Sequence, residues 1–118
     1  DGAAAAGLLA GVHAVLANLG ENGMHAGQEA GRSGAVTVTW QPRRDDAVIT
    51  VDDEGKGVSA DARTKIFEPY VTTKATGTGL GLAIAKKIAL EHGGTLEVAV
   101  EAAPTGGARF VLTVPLAP

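Results

Sequence analysis

A chain of 118 residues supports one hydrophobic core and leaves no room for a second, so residues 1–118 read as a single domain. Hydrophobic residues make up 45% of it, which excludes intrinsic disorder, but aromatics only 3%, so Ala, Val, Leu and Ile must build the core. A net charge of −3 argues against non-specific nucleic-acid binding, and the lack of cysteine removes disulfides, thiolate metal sites and cysteine nucleophiles together. No apolar run approaches the roughly 20 residues of a membrane span, and no signal peptide is visible. The chain opens on Asp1-Gly2 and an alanine tract with no start methionine, so we expect a soluble domain cut from a longer protein.

Residues 4–26 read as one long helix. Leu8, Val12, Val15, Leu16 and Leu19 form an apolar stripe at helical spacing. Asn18, Glu21, Asn22 and His25 fall along a second line, so their side chains converge on one face. Asparagine is a poor residue inside a helix, and Gly20 and Gly23 weaken the segment further. Such a cost suggests a polar site, although a solvated face on a fraying helix would look the same.

Gly27 to Gly34 is loop in composition. Residues 35–40 and 47–52 then alternate at period two around the polar turn 42–46, which predicts a hairpin. The second strand runs into Asp52-Asp53-Glu54-Gly55-Lys56-Gly57-Val58, which suits one carboxylate presented as an acceptor with bare backbone close to a flat ligand. A charged, glycine-rich turn is the plainer alternative.

Ser59 is placed to cap a short helix through Ile66, and Pro69 ends it within Phe67-Glu68-Pro69-Tyr70. After 71–76 comes Gly77-Thr78-Gly79-Leu80-Gly81-Leu82, passing straight into a helix predicted over 80–92. Bare backbone opening a helix offers its first N–H groups beside the positive end of the dipole, a place to hold phosphate. Gly93 closes the helix, and strands follow at 95–101 and 108–114 around the turn Pro104-Thr105-Gly106-Gly107. The order predicts an α+β two-layer sandwich, a mostly antiparallel mixed sheet with helices on one face.

In sequence, Asn18-x-x-x-Asn22, Asp53-x-Gly55-x-Gly57, Phe67-Glu68-Pro69-Tyr70 and Gly77-x-Gly79-x-Gly81-Leu82 resemble the asparagine, first glycine, phenylalanine and second glycine boxes of sensor histidine kinases. The likeness runs from about Leu8 to Pro115 and is to the catalytic, ATP-binding domain with the Bergerat fold, shared with gyrase, a chaperone family and mismatch-repair ATPases. Phe67 through Lys74, followed at once by Gly77, is most similar to the short-lid branch typified by nitrogen-regulation sensor kinases.

The resemblance implies ATP and Mg²⁺ as cofactors. Asn22 would ligate the metal through its amide oxygen, Asn18 would support the same cluster, and Asp53 would accept from the adenine amino group. Gly55, Gly57 and Val58 would close on the base, and Phe67 would pack beneath the lid. Thr73, Lys74, Gly77, Thr78, Gly79, Leu80, Gly81 and Leu82 would contact the phosphates and their surroundings. In ATP-hydrolysing relatives a glutamate stands at the position of Asn18, so the amide favours transfer to a strong nucleophile over hydrolysis. Glu21 and Lys74 are further catalytic candidates. His25 stands where many members carry a phosphate-contacting lysine.

None of His13, His25 and His92 lies in a phosphoacceptor pattern, so the implied partners are a separate dimerisation domain bearing that histidine and a response regulator. A cytoplasmic location, in a parent chain that could be membrane-anchored, goes with this. A regulatory module that binds nucleotide or a partner without kinase activity is the second class. A Walker-type site and a dinucleotide fold are excluded by pattern.

Overall fold

The computed structural model describes residues 2–69 and 80–116. Helix α1 spans Gly2–Glu29, strand β1 Thr37–Arg43 and strand β2 Asp46–Asp52. Two single 3₁₀ turns follow, Ala60–Ala62 and Lys65–Phe67. Helix α2 is Gly81–Glu91, and β3 Thr95–Val98 and β4 Arg109–Pro115 close the order. The four strands form one sheet in the order β1-β2-β4-β3, with every neighbouring pair antiparallel.

Period-two alternation sorts the sheet into two faces. Ala47, Ile49 and Val51 of β2, with Phe110, Leu112 and Val114 of β4, meet Val15 and Leu19 of α1 and Ala85 and Ala89 of α2 in one core. The alternate residues of the same strands lie on the open face, where Arg109 pairs with Asp52 and the hydroxyls of Thr39 and Thr50 touch. A two-layer α+β sandwich with helices on one face results.

Both long helices end the same way. Gly31 and Gly93 take left-handed φ values of 79° and 76°. The N–H after each glycine returns to a carbonyl a turn and a half back, Arg32 to Gly27 (2.9 Å) and Gly94 to Ala89 (2.9 Å). α1 also runs longer than expected. Its most apolar 18-residue window has a mean hydropathy of 1.6, a length and composition that would also suit a membrane span. That corrects the expectation that no apolar run approaches the length of a span; in this fold its inner stripe packs into the core, with Val15 and Leu19 each 1% exposed.

Three expectations shift. The single short helix after Ser59 is instead two 3₁₀ turns, and Ser59 makes no side-chain cap bond. The first hairpin turns on Arg44 and Asp45 alone, with Arg44 at φ 58°. Its strand runs through Pro42 because β1 is an edge strand, where a missing N–H is tolerated. β3 stops at Val98, three residues early, because the chain leaves the ladder to make a tight turn closed by Ala103 N–H to Gly107 O (2.9 Å).

Candidate nucleotide site

Where β2 ends, the alternation that points Val51 inward and Asp52 outward turns Asp53 to the helix side. The residue is 3% exposed, yet no cation pairs with it among the described residues. Instead its Oδ1 accepts the N–H groups of Gly55 (2.9 Å) and Ala108 (3.0 Å). Backbone dipoles stabilise the carboxylate without cancelling its charge, so it keeps acceptor capacity on its second oxygen.

Asp53 stands on a cavity of about 570 Å³ between the end of α1, the 53–66 segment and the start of α2. Ala26, Val58, Ile66, Leu82 and Phe110 give it apolar walls, and Asn22 contributes an amide. Such a space, mostly apolar with a few placed polar groups, suits a flat heteroaromatic ring carrying a polar edge. The two glycines of the wall serve different needs. A Cβ on Gly55 would sit 2.9 Å from the Cβ of Ala26, so this position lets the loop lie against α1. Gly57 has open space but φ 84°, a backbone that side chains disfavour.

Asn18 lies one turn before Asn22 on α1. Its Nδ2 donates to Ala14 O (3.2 Å), and its Oδ1 lies 3.5 Å from where a Cβ on Gly81 would be. The middle of α1 and the first residue of α2 are thus brought together from 63 positions apart in the chain. Leu80 is the N-cap of α2 and makes no side-chain cap bond, and the first turn carries no acidic residue. That helix start keeps the electrostatic character of an anion site.

Other predicted residues are placed differently. Glu21 and His25 are not among the cavity walls. They face each other at 3.8 Å on a largely exposed part of α1. Phe67 packs edge-on against Phe110 (centroids 6.2 Å apart, 86°) with the Lys86 ammonium 5.2 Å above its ring. It therefore extends the core next to the cavity. Thr73, Lys74, Gly77, Thr78 and Gly79 lie outside the described residues.

Four contributors were not singled out in the sequence. Gly107 comes so close that a Cβ there would sit 2.2 Å from Asp53 Oδ1. Ala108 exchanges two bonds with Asp53, its N–H to Oδ1 and its carbonyl with the Asp53 N–H (3.0 Å). The Thr105 hydroxyl donates to the Asp53 carbonyl, and Arg32 donates to the Thr105 carbonyl (2.9 Å). The one available signal was a Gly-Gly pair after Pro104, richer in glycine than a plain turn needs. Nearby, Glu54 Oε1 accepts from Ser33 Oγ (2.8 Å) and Ala35 N–H (3.0 Å), which holds its carboxyl below the ordinary value of 4.5.

Residues 7–118 match the family described as histidine kinase-, DNA gyrase B-, and HSP90-like ATPases. Sensor histidine kinase ZraS of Klebsiella oxytoca is 45% identical over 103 residues, covering 86% of this chain and 21% of that protein. The C4-dicarboxylate transport sensor protein DctB of Rhizobium meliloti (strain 1021) is 40% identical over 106 residues, 90% of this chain and 17% of that protein. The chain thus spans about a fifth of the length of these curated relatives. Among solved structures, full-length ShkA in complex with AMPPNP superposes with a TM-score of 0.74 at 31% identity, covering 89% of this chain and 21% of that one. The mycobacterial sensor histidine kinase MprB gives 0.77 at 27% identity, covering 90% and 72%. The chain therefore belongs to the histidine kinase-, DNA gyrase B- and HSP90-like ATPase family, as an ATP-binding domain of the type found in sensor histidine kinases.

Proposed function

We propose that this domain binds Mg-ATP and passes the γ-phosphoryl group to a histidine on a separate dimerisation domain, from which a response-regulator aspartate would receive it in the cytoplasm. The observation that carries this reading is the buried Asp53 carboxylate, held by backbone N–H groups at the floor of a cavity that reaches the start of α2.

In this reading Asp53 accepts the adenine amino hydrogen, and Gly55, Gly57 and Val58 close on the ring. Gly77, Thr78, Gly79, Leu80 and Gly81, with Thr73 and Lys74, would contact the phosphates, as the family resemblance implies. The donor that faces the cavity, the Asn22 amide, offers the hard oxygen that magnesium takes. An amide such as Asn22, completed by phosphate and water oxygens, is how that small hard ion is commonly held. Asn22 would bind it and Asn18 would support the same cluster. When bound, the ion neutralises charge on the phosphate oxygens.

In the transfer, an acceptor imidazole nitrogen attacks the γ-phosphorus. The N–P bond forms, the bond to the β–γ bridging oxygen breaks, and ADP leaves with the electron pair. Asn18 cannot take a proton at neutral pH, and Glu21 stands 72% exposed outside the cavity walls, so neither is arranged to activate water. His25 lies beside Glu21 outside the cavity walls, so neither geometry nor contact assigns it to the phosphates.

The test is to incubate the chain with γ-labelled ATP, Mg²⁺ and a histidine-bearing dimerisation fragment of a sensor kinase. The expected product is label on the fragment, stable to alkali and released by acid, and lost with Asn22→Ala. Nucleotide binding with no label on any such fragment would support the regulatory-module reading instead.

A further inference from the structure

The 103–107 turn does more than join β3 to β4. With Ala108 just after it, it brings three groups onto Asp53: the Thr105 hydroxyl on its carbonyl, the Ala108 N–H on Oδ1, and the bare Gly107 packed against the carboxylate. The turn is in turn held from the end of α1. Arg32, the residue just past the glycine cap of α1, donates to the Thr105 carbonyl, and its guanidinium covers Gly106, where a Cβ would lie 2.9 Å from Nη1. A continuous path of bonds thus runs from the end of α1 through Arg32 and Thr105 to the backbone of Asp53.

We propose that Thr105 and Arg32 are positioning residues that set the Asp53 carboxylate for base discrimination, with the β3–β4 turn acting as a clamp. The proposal rests on the reading of Asp53 as the adenine acceptor. The physical reason lies in how the carboxylate is held. Both side-chain bonds converge on Oδ1, so the direction of the second oxygen depends on where the Asp53 backbone places Cβ and Cγ. That backbone is held at its N–H by the Ala108 carbonyl and at its own carbonyl by the Thr105 hydroxyl, so Thr105 is its side-chain restraint. Loss of the hydroxyl lets the backbone tilt, which misaligns the second oxygen with an amino hydrogen while hardly affecting the apolar walls. Arg32 acts one step further out, by keeping the turn pressed over Asp53.

The test is calorimetric binding of two nucleotides to the full chain: AMPPNP, and purine riboside triphosphate, which lacks the amino group. Wild type is expected to prefer the adenine form. Thr105→Val should shrink that preference about three- to tenfold, the range of one hydrogen bond, with Thr105→Ser restoring it. Arg32→Ala, at an exposed position, should shrink it by a smaller factor and carries the same test if Thr105→Val does not fold. Affinities for both nucleotides falling by one common factor, or a preference unchanged in both variants, would overturn the clamp while leaving Asp53 as acceptor. A wild type with no preference at all would instead overturn the acceptor reading, and the clamp with it.

Discussion

Asp52 and Asp53 are neighbours in the chain, both nearly fully buried, and they serve opposite ends. Asp52 points to the open face of the sheet, where Arg109 on the adjacent strand grips both its oxygens at 2.7 Å. The charge is cancelled, and the carboxylate raises the Arg109 pKa above its ordinary value. Asp53 points to the helix side, where, among the described residues, backbone N–H groups alone hold its carboxylate. No cation closes it among the described residues, and it faces a cavity. A buried carboxylate closed by a guanidinium is committed to structure, whereas one supported by dipoles remains available to a ligand. The sheet's alternation alone assigns the two roles.

The sharpest way to break the contrast is to remove the cation. Arg109→Ala leaves Asp52 buried and unpaired, and is expected to destabilise the fold by about 2–3 kcal/mol, below the full cost of a broken buried pair because Arg109 is 35% exposed on its side chain. Replacing both partners by valine should recover most of that loss in a denaturant titration, while nucleotide affinity stays near wild type. If the double variant binds nucleotide far more weakly, the two faces are coupled and the contrast fails.

A smaller effect concerns Glu54, which ties the loop after α1 to the loop after Asp53. Its pKa is lowered in the folded chain, so its contribution is fully present above the ordinary value of 4.5 and is lost as pH falls through the lower folded value. Thermal melts across the acid range should show wild type losing stability more steeply below about pH 4.5 than Glu54→Gln does. Parallel curves would mean that the tie contributes nothing to the fold.

The sequence made the frame legible because periodicity is local. The stripe through Leu8, Val15 and Leu19, the alternation into Val51, and the glycine after His92 each carry their own meaning within a few residues. The same strand end, with its spaced glycines, pointed to one carboxylate within Asp52-Asp53-Glu54, and the family resemblance named Asp53. What stayed hidden depends on distant partners. Gly23 looked like the cost of a polar site, but a Cβ there would meet Val36 at 3.0 Å and the Asp53 Cβ at 3.1 Å, so it is a packing glycine. Gly20 has nothing within 4 Å, and nothing in the structure explains it. Thr105 and Gly107 meet Asp53 only after the β2–β4 ladder forms, and no local pattern announces that. Glu54 passed for turn polarity because its partners, Ser33 and Ala35, lie 21 and 19 residues away.

The most direct measurement is a calorimetric titration of AMPPNP, with and without Mg²⁺, into wild type, Asp53→Asn and Asp52→Asn. Wild type is expected to bind in the micromolar range, roughly −6 to −8 kcal/mol. Asp53→Asn should lose about 1.5–3 kcal/mol of that, the worth of a hydrogen bond to a charged group, while Asp52→Asn loses stability but keeps its affinity. Equal losses in the two variants, or no binding by wild type up to millimolar nucleotide, would contradict the assignment of Asp53 as the acceptor.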